Sequence, residues 1–182
     1  MPDDARTPAA VPDAPPPPAL PEWVDLVRQA VPDGVQAVLG VPGGSGEADL
    51  PTLAVAAGRW LEVVAALKAG GFDFFADLGG VDHPERPARF DVVLHLRDIA
   101  AGRIVRCVAE VAEGGSLASL EPLFPAAGWP EREVFDLLGV RFAGNADLRR
   151  LLLPDDWEGH PLRRDYPLTG PRALSPESPY AI

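Results

Sequence analysis

The fold is decided by the stretch FDVVLHLRDIAAGRIVRCVAEV, residues 90–111. In its two halves, 90–96 and 104–111, apolar and polar residues alternate, which is typical of strands with one buried face. The residues between them, 98–103, contain a glycine and are few enough to form a tight connection. The stretch therefore predicts two neighbouring antiparallel strands.

The residues before this stretch predict the rest of the same sheet and two helices. A further strand is expected at 72–79, and two more at 35–41 and 53–56, joined as a hairpin through the glycine-rich residues 43–46. Apolar residues at helical spacing predict two helices. The first contains Trp23, Leu26, Val27 and Ala30, and the second contains Trp60, Val63, Val64 and Leu67 and ends at Gly70-Gly71.

This order of elements predicts an α+β fold, a two-layer sandwich with the helices on one face of a mainly antiparallel sheet. Further along the chain, Ser116 is placed to cap a short helix that runs to Leu123, and another helix is expected over 131–138. We assign residues 22–139 to this sandwich domain.

Both ends of the chain differ from the sandwich. Residues 1–21 hold eight of the 22 prolines and predict a flexible tail with polyproline II character. Residues 140–182 are rich in leucine but are broken by prolines, which predicts an extended, irregular C-terminal arm. Two alternatives remain for its apolar residues: a partner protein covers them, or the arm lies back along the sandwich.

Composition excludes several classes of function. A net charge of −11 argues against a nucleic-acid partner. Cys107 is the only cysteine, so this chain offers neither a disulfide nor the thiolates of an iron–sulfur cluster. No apolar run is long enough to span a bilayer, and residues 1–20 lack the pattern of a signal peptide. We expect the protein to be made and kept in the cytoplasm.

Few residues suggest chemistry of their own. Arg132 and Asp136 are four apart and predict an ion-paired helix surface, although Glu131, Glu133 and Asp136 could instead act as acid and base of a hydrolase. His83, His95 and His160 lack the spacing of a metal site, and His95 is expected to be an ordinary sheet residue. The glycines at 43–46 lie in a hairpin, so no dinucleotide-binding turn is predicted.

A run at residues 129–144, WPEREVFDLLGVRFAG, resembles the signature of the complex I thirty-kilodalton subunit, W-x-ERE-x-x-D-x-x-G-x-x-F-x-G. The resemblance continues through DLRRLL at 147–152 and WEGHPLRRDYP at 157–167. Weaker similarities lie upstream, in VDHP at 81–84 and in Arg89-Phe90. In all, the resemblance covers most of residues 22–167.

The resemblance implies a structural docking subunit in the hydrophilic arm of a proton-translocating NADH:quinone oxidoreductase. It implies that this chain binds the large quinone-site subunit and carries neither catalytic residues nor a cofactor, because FMN and the iron–sulfur clusters belong to partner subunits. The protein would then sit on the cytoplasmic side of the cell membrane, in contact with it only through the complex. Membrane-bound hydrogenases contain homologous subunits, so the resemblance does not identify the electron donor.

The resemblance also implies which residues form the interface and the family signature. They are Trp129, Glu131, Arg132, Glu133, Asp136, Gly139, Leu148, Arg149, Arg150, Trp157, Gly159, Pro161, Leu162, Arg163, Arg164, Asp165, Tyr166 and Pro167.

Among these residues, we expect Arg163 and Arg164 to pair with partner carboxylates, and Trp157 and Tyr166 to act as aromatic anchors. Under this interpretation the helix residues Glu131, Arg132, Glu133 and Asp136 would hold the junction between sandwich and arm. Asn145-Ala146 stands where the family usually has His-Pro, so the turn there is expected to differ.

Overall fold

A computed structural model of the chain describes residues 20–39 and 50–168. The predicted tail before residue 20, the hairpin loop at 43–46 and the arm after residue 168 lie outside the described residues. The helices are α1 (Glu22–Ala30), α2 (Trp60–Ala69) and α3 (Gly128–Leu138). The strands are β1 (Val35–Leu39), β2 (Thr52–Val55), β3 (Phe74–Asp82), β4 (Phe90–Asp98), β5 (Arg103–Val111), β6 (Ser116–Ala118) and β7 (Arg141–Ala143).

The main sheet has five strands in the order β1-β2-β5-β4-β3. Its strand pairs are antiparallel except for β2 and β5, which run parallel. The central pair is the one predicted from residues 90–111: β4 and β5 pair along their whole length, from Phe90 opposite Val111 to Asp98 opposite Arg103. The α+β fold with a mainly antiparallel sheet is therefore confirmed.

Alternation along the central strands creates the core. Val92, Leu94 and Leu96 of β4 are buried with Val105 and Cys107 of β5. Helices α1 and α2 contribute apolar residues to the same core. Of the apolar residues whose spacing predicted these helices, those buried in the core are Trp23, Val27, Trp60, Val63, Val64 and Leu67. Burying apolar surface of this kind is the main source of stability for such a domain.

Helix α3 packs on the same face of the sheet, next to the edge strand β3. The close approach depends on Gly80, where a Cβ atom would lie 2.5 Å from Leu138 Cδ1 and 3.3 Å from Val134 Cγ1. Gly80 pairs with the buried Val92, which places its vacant side-chain position on the core face. A small residue in β3 thus allows α3 to cover this side of the core.

The predicted helix from Ser116 to Leu123 is wrong. Residues Ser116–Ala118 form β6, which pairs in parallel with β7 so that the buried Leu117 lies opposite the buried Phe142. The partner strand lies more than twenty residues further along the chain, so the local spacing of leucines gave no sign of it. Packed structure also continues past the predicted domain boundary after Gly139, because Val140 and Phe142 are buried.

Candidate functional site

Several of the predicted interface residues come together where the arm crosses α3. Gly139 ends the helix with φ +82°, a conformation that glycine adopts readily. A Cβ atom here would lie 2.5 Å from Arg163 Nη2 and 2.6 Å from His160 Nε2, so the arm packs directly against the end of the helix. Between residues 144 and 168 the arm contains no helix or strand, as predicted, and it lies along the sandwich.

The first anchor of the arm is the fully buried carboxylate of Asp136. Oδ1 accepts a hydrogen bond from Arg150 Nη1 at 2.7 Å. Oδ2 accepts three from consecutive backbone N–H groups, those of residues 151, 152 and 153, at 3.0, 2.8 and 2.9 Å. Successive N–H groups that converge on one anion form a strong and directional site, so the path of the backbone here is set by one side chain.

The electrostatics of Asp136 favour its ionised form. Burial raises the pKa of this carboxyl group, but the hydrogen bonds from Leu153 N–H and the Arg150 guanidinium, with those from Leu151 and Leu152, outweigh burial and hold it below its usual value. The carboxylate is therefore charged at neutral pH and its charge is compensated by donors from the arm. Removing either side of this contact would leave polar groups buried without partners.

Two arginines extend the first anchor along the arm. Arg150 Nη2 also donates to the carbonyl oxygens of Trp157, at 2.7 Å, and Gly159, at 3.1 Å. Arg132 donates to the carbonyl oxygens of Arg149 and Arg150, at 3.2 and 2.8 Å. The predicted surface ion pair between Arg132 and Asp136 is wrong, because both side chains instead bind the arm, which the helical spacing alone could not reveal.

Glu131 is fully buried as well and organises the turn that leads into the arm. Oε1 accepts from Leu120 N–H at 2.6 Å, and Oε2 accepts from Ser119 Oγ at 2.7 Å and Asn145 Nδ2 at 2.8 Å. Asn145 is the residue that departs from the family pattern. Its amide supplies one of the donors that this buried carboxylate requires.

The second anchor joins the arm to the β3–β4 connection. Arg89 binds Asp82 through two parallel hydrogen bonds, Nε to Oδ1 at 2.7 Å and Nη2 to Oδ2 at 3.0 Å, and both side chains are buried. From the arm, Asp165 accepts from Arg89 Nη2 at 2.6 Å, and Arg164 N–H donates to Asp82 Oδ2 at 2.8 Å. The arm thus completes a buried charge pair of the sandwich.

Arg163 strengthens the second anchor from within the chain. Its Nε donates to the carbonyl oxygen of Leu138 at 2.7 Å, and its Nη1 pairs with Glu113 at 2.7 Å. The guanidinium groups of Arg89 and Arg163 both lie over the Phe90 ring, with distances from Cζ to the ring centroid of 5.2 and 5.1 Å. Arg163, predicted to pair with partner carboxylates, is therefore engaged inside this chain.

Charge pairing also shifts the pKa values of the charged residues in the second anchor. Hydrogen bonding to Arg89 lowers the pKa of Asp82 and of Asp165 below the usual value, while Asp82 and Asp165 raise the pKa of Arg89. Nearby, burial lowers the pKa of His160, whose Nδ1 lies 2.9 Å from the carbonyl oxygen of Asp136. All these groups therefore favour the attached arm at neutral pH.

The structure brings no acid–base pair together from the three candidate carboxylates. Glu133 is exposed, whereas Asp136 on the same helix is buried with both of its oxygens hydrogen bonded to the arm. Glu131 is likewise occupied by three donors. Glu133 and Asp136 do not share a cleft, so the geometry does not favour a hydrolase.

The two predicted aromatic anchors, Tyr166 and Trp157, are both partly buried. Tyr166 packs within the arm, where its hydroxyl donates to the carbonyl oxygen of Glu158 at 3.0 Å and its ring contacts Gly159. Trp157 is half-buried. Two predicted interface residues, Trp129 and Leu162, are instead exposed, by 65% and 60%. Leu152 of the arm, which was not among the predicted residues, is exposed by 62%.

Of these three exposed residues, which we call the docking surface, Trp129 belongs to α3, and Leu152 and Leu162 belong to the part of the arm that contacts α3. Trp129 lies in the first turn of the helix, with the Arg132 guanidinium over its ring at 5.2 Å. Leu152 N–H binds the Asp136 carboxylate, and Leu162 N–H donates to the carbonyl oxygen of Leu137 at 3.1 Å. The contacts of the arm with α3 therefore fix the positions of Leu152 and Leu162, whereas Trp129 is positioned by the helix itself.

Asp82 and Arg89 were underrated from the sequence, where they appeared only as weak similarities. Both flank the β3–β4 connection, where His83 N–H donates to the carbonyl oxygen of Arg89 at 2.8 Å. Opposite charges at the two ends of a predicted hairpin were the available signal. Glu113, which binds Arg163, gave no such signal because it lies fifty residues away in sequence.

The other polar clusters are ordinary structural contacts. His95 Nε2 accepts a hydrogen bond from Arg106 Nε at 3.0 Å, which confirms it as a satisfied sheet residue. Within residues 20–39 and 50–168, no three His, Cys, Asp or Glu side chains are grouped so that they could hold a metal ion. In the same residues, no helix is both long and apolar enough to cross a membrane.

Comparison with protein families finds one matching model, described as respiratory-chain NADH dehydrogenase, 30 Kd subunit, over residues 53–172. The chain is 41% identical over 157 residues to an NADH-quinone oxidoreductase subunit of Cereibacter sphaeroides, covering 85% of this chain and 76% of that protein. It is 39% identical over 149 residues to the subunit of the same name in Caulobacter vibrioides, covering 82% of this chain and 76% of the relative.

Solved structures that are similar to this fold include these two. The first is the trypsin-resistant fragment (1–134) of Nqo5, with a TM-score of 0.54 and 31% identity over 58% of this chain and 87% of the fragment. The second is a chain of an archaeal respiratory membrane complex, the membrane-bound sulfane sulfur reductase, with a TM-score of 0.67. At 22% identity over 81% of this chain and 85% of that one, the second structure supports the fold alone.

Proposed function

Because this chain belongs to the family of the 30 kDa subunit of respiratory-chain NADH dehydrogenase, we propose that it is a docking subunit of a proton-translocating NADH:quinone oxidoreductase. In this role it sits in the hydrophilic part of the enzyme and binds the large quinone-site subunit. It takes no part in the chemistry, and it holds the subunits that carry FMN and iron–sulfur clusters in register. It reaches the cytoplasmic side of the cell membrane only through the complex.

One observation carries this proposal: three large apolar side chains stay exposed, Trp129 on α3 and Leu152 and Leu162 on an arm that two buried polar anchors attach to the sandwich. Exposed leucines and tryptophans lose contact with water favourably when a partner covers them, and tryptophan in particular is frequent among residues that dominate binding energy. Because the arm is already attached to the sandwich, little chain entropy is lost on binding. The docking surface of Trp129, Leu152 and Leu162 is therefore preorganised for a partner.

The polar groups beside the docking surface suggest what the partner offers. Arg149 is exposed and pairs with the exposed Asp147 at 2.9 Å, and the exposed Arg164 uses its backbone N–H, not its guanidinium, in the second anchor. A partner surface with apolar side chains and neighbouring carboxylates would complement this arrangement. The family signature residues Arg150 and Arg163 act from inside, by holding the arm in place.

The proposal is tested by purifying the tagged chain from gently solubilised membranes of its native host. We expect it to be recovered with flavin, iron–sulfur signals and NADH:quinone reductase activity. Recovery of the chain by itself from the soluble fraction would refute a role in the enzyme.

The docking surface is tested separately with Leu162→Glu. The matched control is Ile99→Glu, since Ile99 is equally exposed, by 60%, but lies in the β4–β5 connection. Leu162→Glu should reduce recovery of the partner subunits by at least tenfold, because a buried charge costs more than about 1.4 kcal/mol. Ile99→Glu should leave recovery unchanged. Equal recovery with both variants would remove this surface from the interface while leaving membership of the complex intact.

A further inference from the structure

An open apolar groove lies at the opposite end of the sandwich from the second anchor. β4 begins at Phe90, beside that anchor, and ends at Asp98, next to the groove. The groove encloses about 530 Å³ and its walls include Pro21, Trp23, Leu50, Pro51, Arg103 and Ile104. This volume is in the range of sites that bind small molecules or short peptide segments, roughly 300–1,000 Å³.

The walls of the groove are held firmly and are almost entirely apolar. Trp23 packs edge-to-face on Phe72 with a centroid distance of 4.9 Å, and the Arg103 guanidinium lies over the same Phe72 ring, 4.9 Å from its centroid. Arg103 is also bound to the Asp98 carboxylate and the Gly70 carbonyl oxygen. Its charge is therefore compensated, and the groove offers its occupant mainly apolar contact.

The chain itself supplies a segment of matching chemistry at this point. Leu20 packs against the core and Pro21 forms part of the groove wall, so the residues that precede them emerge beside the groove. These residues include Pro8, Pro12 and the run of four prolines at 15–18. Proline-rich segments bind aromatic-lined grooves as polyproline II helices, and they lose little entropy because they are already extended.

We infer that residues 8–18 of this chain dock in the groove in the polyproline II conformation. Four consecutive prolines carry no N–H donors, so burial against apolar walls leaves no donor unsatisfied. Attachment through Leu20 also gives the segment an effective concentration of about millimolar at the groove, which makes even weak contacts sufficient. Such docking is a property of the isolated chain and does not depend on the proposed function.

Residues 40–49 join the structure at Leu50 and are the competing segment of this chain. They contain four glycines and a serine, which have little apolar surface with which to fill the groove. The proline-rich segment offers six prolines and the apolar Val11 over residues 8–18. Chemistry therefore favours the N-terminal segment.

The test places a nitroxide label at Ala14→Cys in the full chain and measures paramagnetic broadening of backbone amide signals. The native thiol does not interfere, because Cys107 is fully buried and burial raises its pKa to about 12. We expect the amides of Gly102, Arg103 and Ile104 to broaden several times more than in a control chain with residues 15–18 replaced by Gly-Ser-Gly-Ser. The control keeps the tether length and so reports the baseline for a flexible segment.

A groove variant completes the test. Ile104→Glu places a charge in the wall and should reduce the broadening to the Gly-Ser baseline, whereas Leu152→Glu on the docking surface should not change it. Equal broadening in the proline and Gly-Ser chains would overturn the inference. Broadening that disappears on dilution would also overturn it, because the occupant would then be a second copy of the chain.

Discussion

The sandwich and the arm are held in place by different kinds of interaction. The sandwich depends on a continuous apolar core in which each residue, such as Leu94 or Val105, contributes a part of the total. The arm depends on a few buried charges, chiefly Asp136 and the pair of Asp82 with Arg89. Apolar packing is tolerant of direction, whereas hydrogen bonds to a buried carboxylate are not, so the arm is attached in one orientation and through few residues.

The largest effect is expected from Asp136→Asn. The amide group would turn an N–H donor toward either the Arg150 guanidinium or the backbone N–H groups of the arm, and breaking a buried pair of this kind costs about 3–5 kcal/mol. Hydrogen exchange at Leu152 should accelerate far more than at Leu94. Glu133→Gln is the control, exposed on the same helix, and should change stability by less than about 0.5 kcal/mol.

If the sandwich amides lost protection together with the arm in Asp136→Asn, the two regions would be one cooperative unit. The sandwich and the arm would then differ in the kind of contact that holds them, but not in their stability.

A core substitution should show the opposite pattern. Leu94→Ala removes a fully buried side chain from the central strand and should lower the free energy of unfolding by about 2–5 kcal/mol. Because the sandwich supports both anchors, the substitution should lower the denaturant concentration at the unfolding midpoint equally for the arm and for the sandwich. Val93→Ala, on the half-buried opposite face of β4, is the matched control and should cost less. Selective loss of the arm in Leu94→Ala would contradict this distinction.

Acid should loosen the arm before it unfolds the sandwich. The lowered pKa values of Asp82, Asp136 and Asp165 mean that the detached arm binds more protons, so attachment is complete above the ordinary aspartate range and is lost as pH falls through it. His160, with its pKa lowered from 6.5 mainly by burial and also by Arg163 and Arg150, stays neutral when attached. Its contribution is present above pH 6.5 and begins to decline as pH falls below that value.

The fluorescence of Trp157, isolated by comparison with a Trp157→Phe chain, should follow both acid steps. His160 is faced by Arg150, Arg163 and the carbonyl and carboxylate of Asp136, with the Phe135 ring on its other side. His160→Gln should remove the smaller step near neutral pH and leave the carboxylate step in place. A single step unaffected by this substitution would show that His160 does not control attachment.

The smallest effect is expected at an exposed ion pair of the sandwich. Arg59 and Glu62 are about half exposed and three residues apart at the start of α2, at 2.9 Å. Arg59→Gln should change stability by only about 0.2–0.5 kcal/mol, because water and salt screen such pairs. The difference from the native chain should shrink further in high salt. A larger loss would indicate that exposed charges stabilise the sandwich in the way that buried charges stabilise the arm.

Sequence patterns predicted the elements with strong periodicity and missed those that depend on distant partners. The spacing of Trp60, Val63, Val64 and Leu67 identified α2, and alternation identified β4 and β5. The spacing around Ser116 suggested a helix, but the strand there is stabilised by β7. For the site, a resemblance to a known signature drew attention to residues 129–167; Arg132 binds the arm as a junction residue would, whereas Arg163 binds within this chain and not to a partner.

The sequence by itself determined the sandwich, because period-two and helical spacing record which side of each element is buried. It also determined that the arm would be irregular, since proline prevents regular hydrogen bonding. Only the tertiary structure decided where the arm lies and which of its side chains face outward. The path of the arm depends on hydrogen bonds to the carboxylates of Asp136 and Asp82 from backbone N–H groups that lie fifteen to more than eighty residues away in sequence. Local sequence patterns do not record contacts between such distant residues.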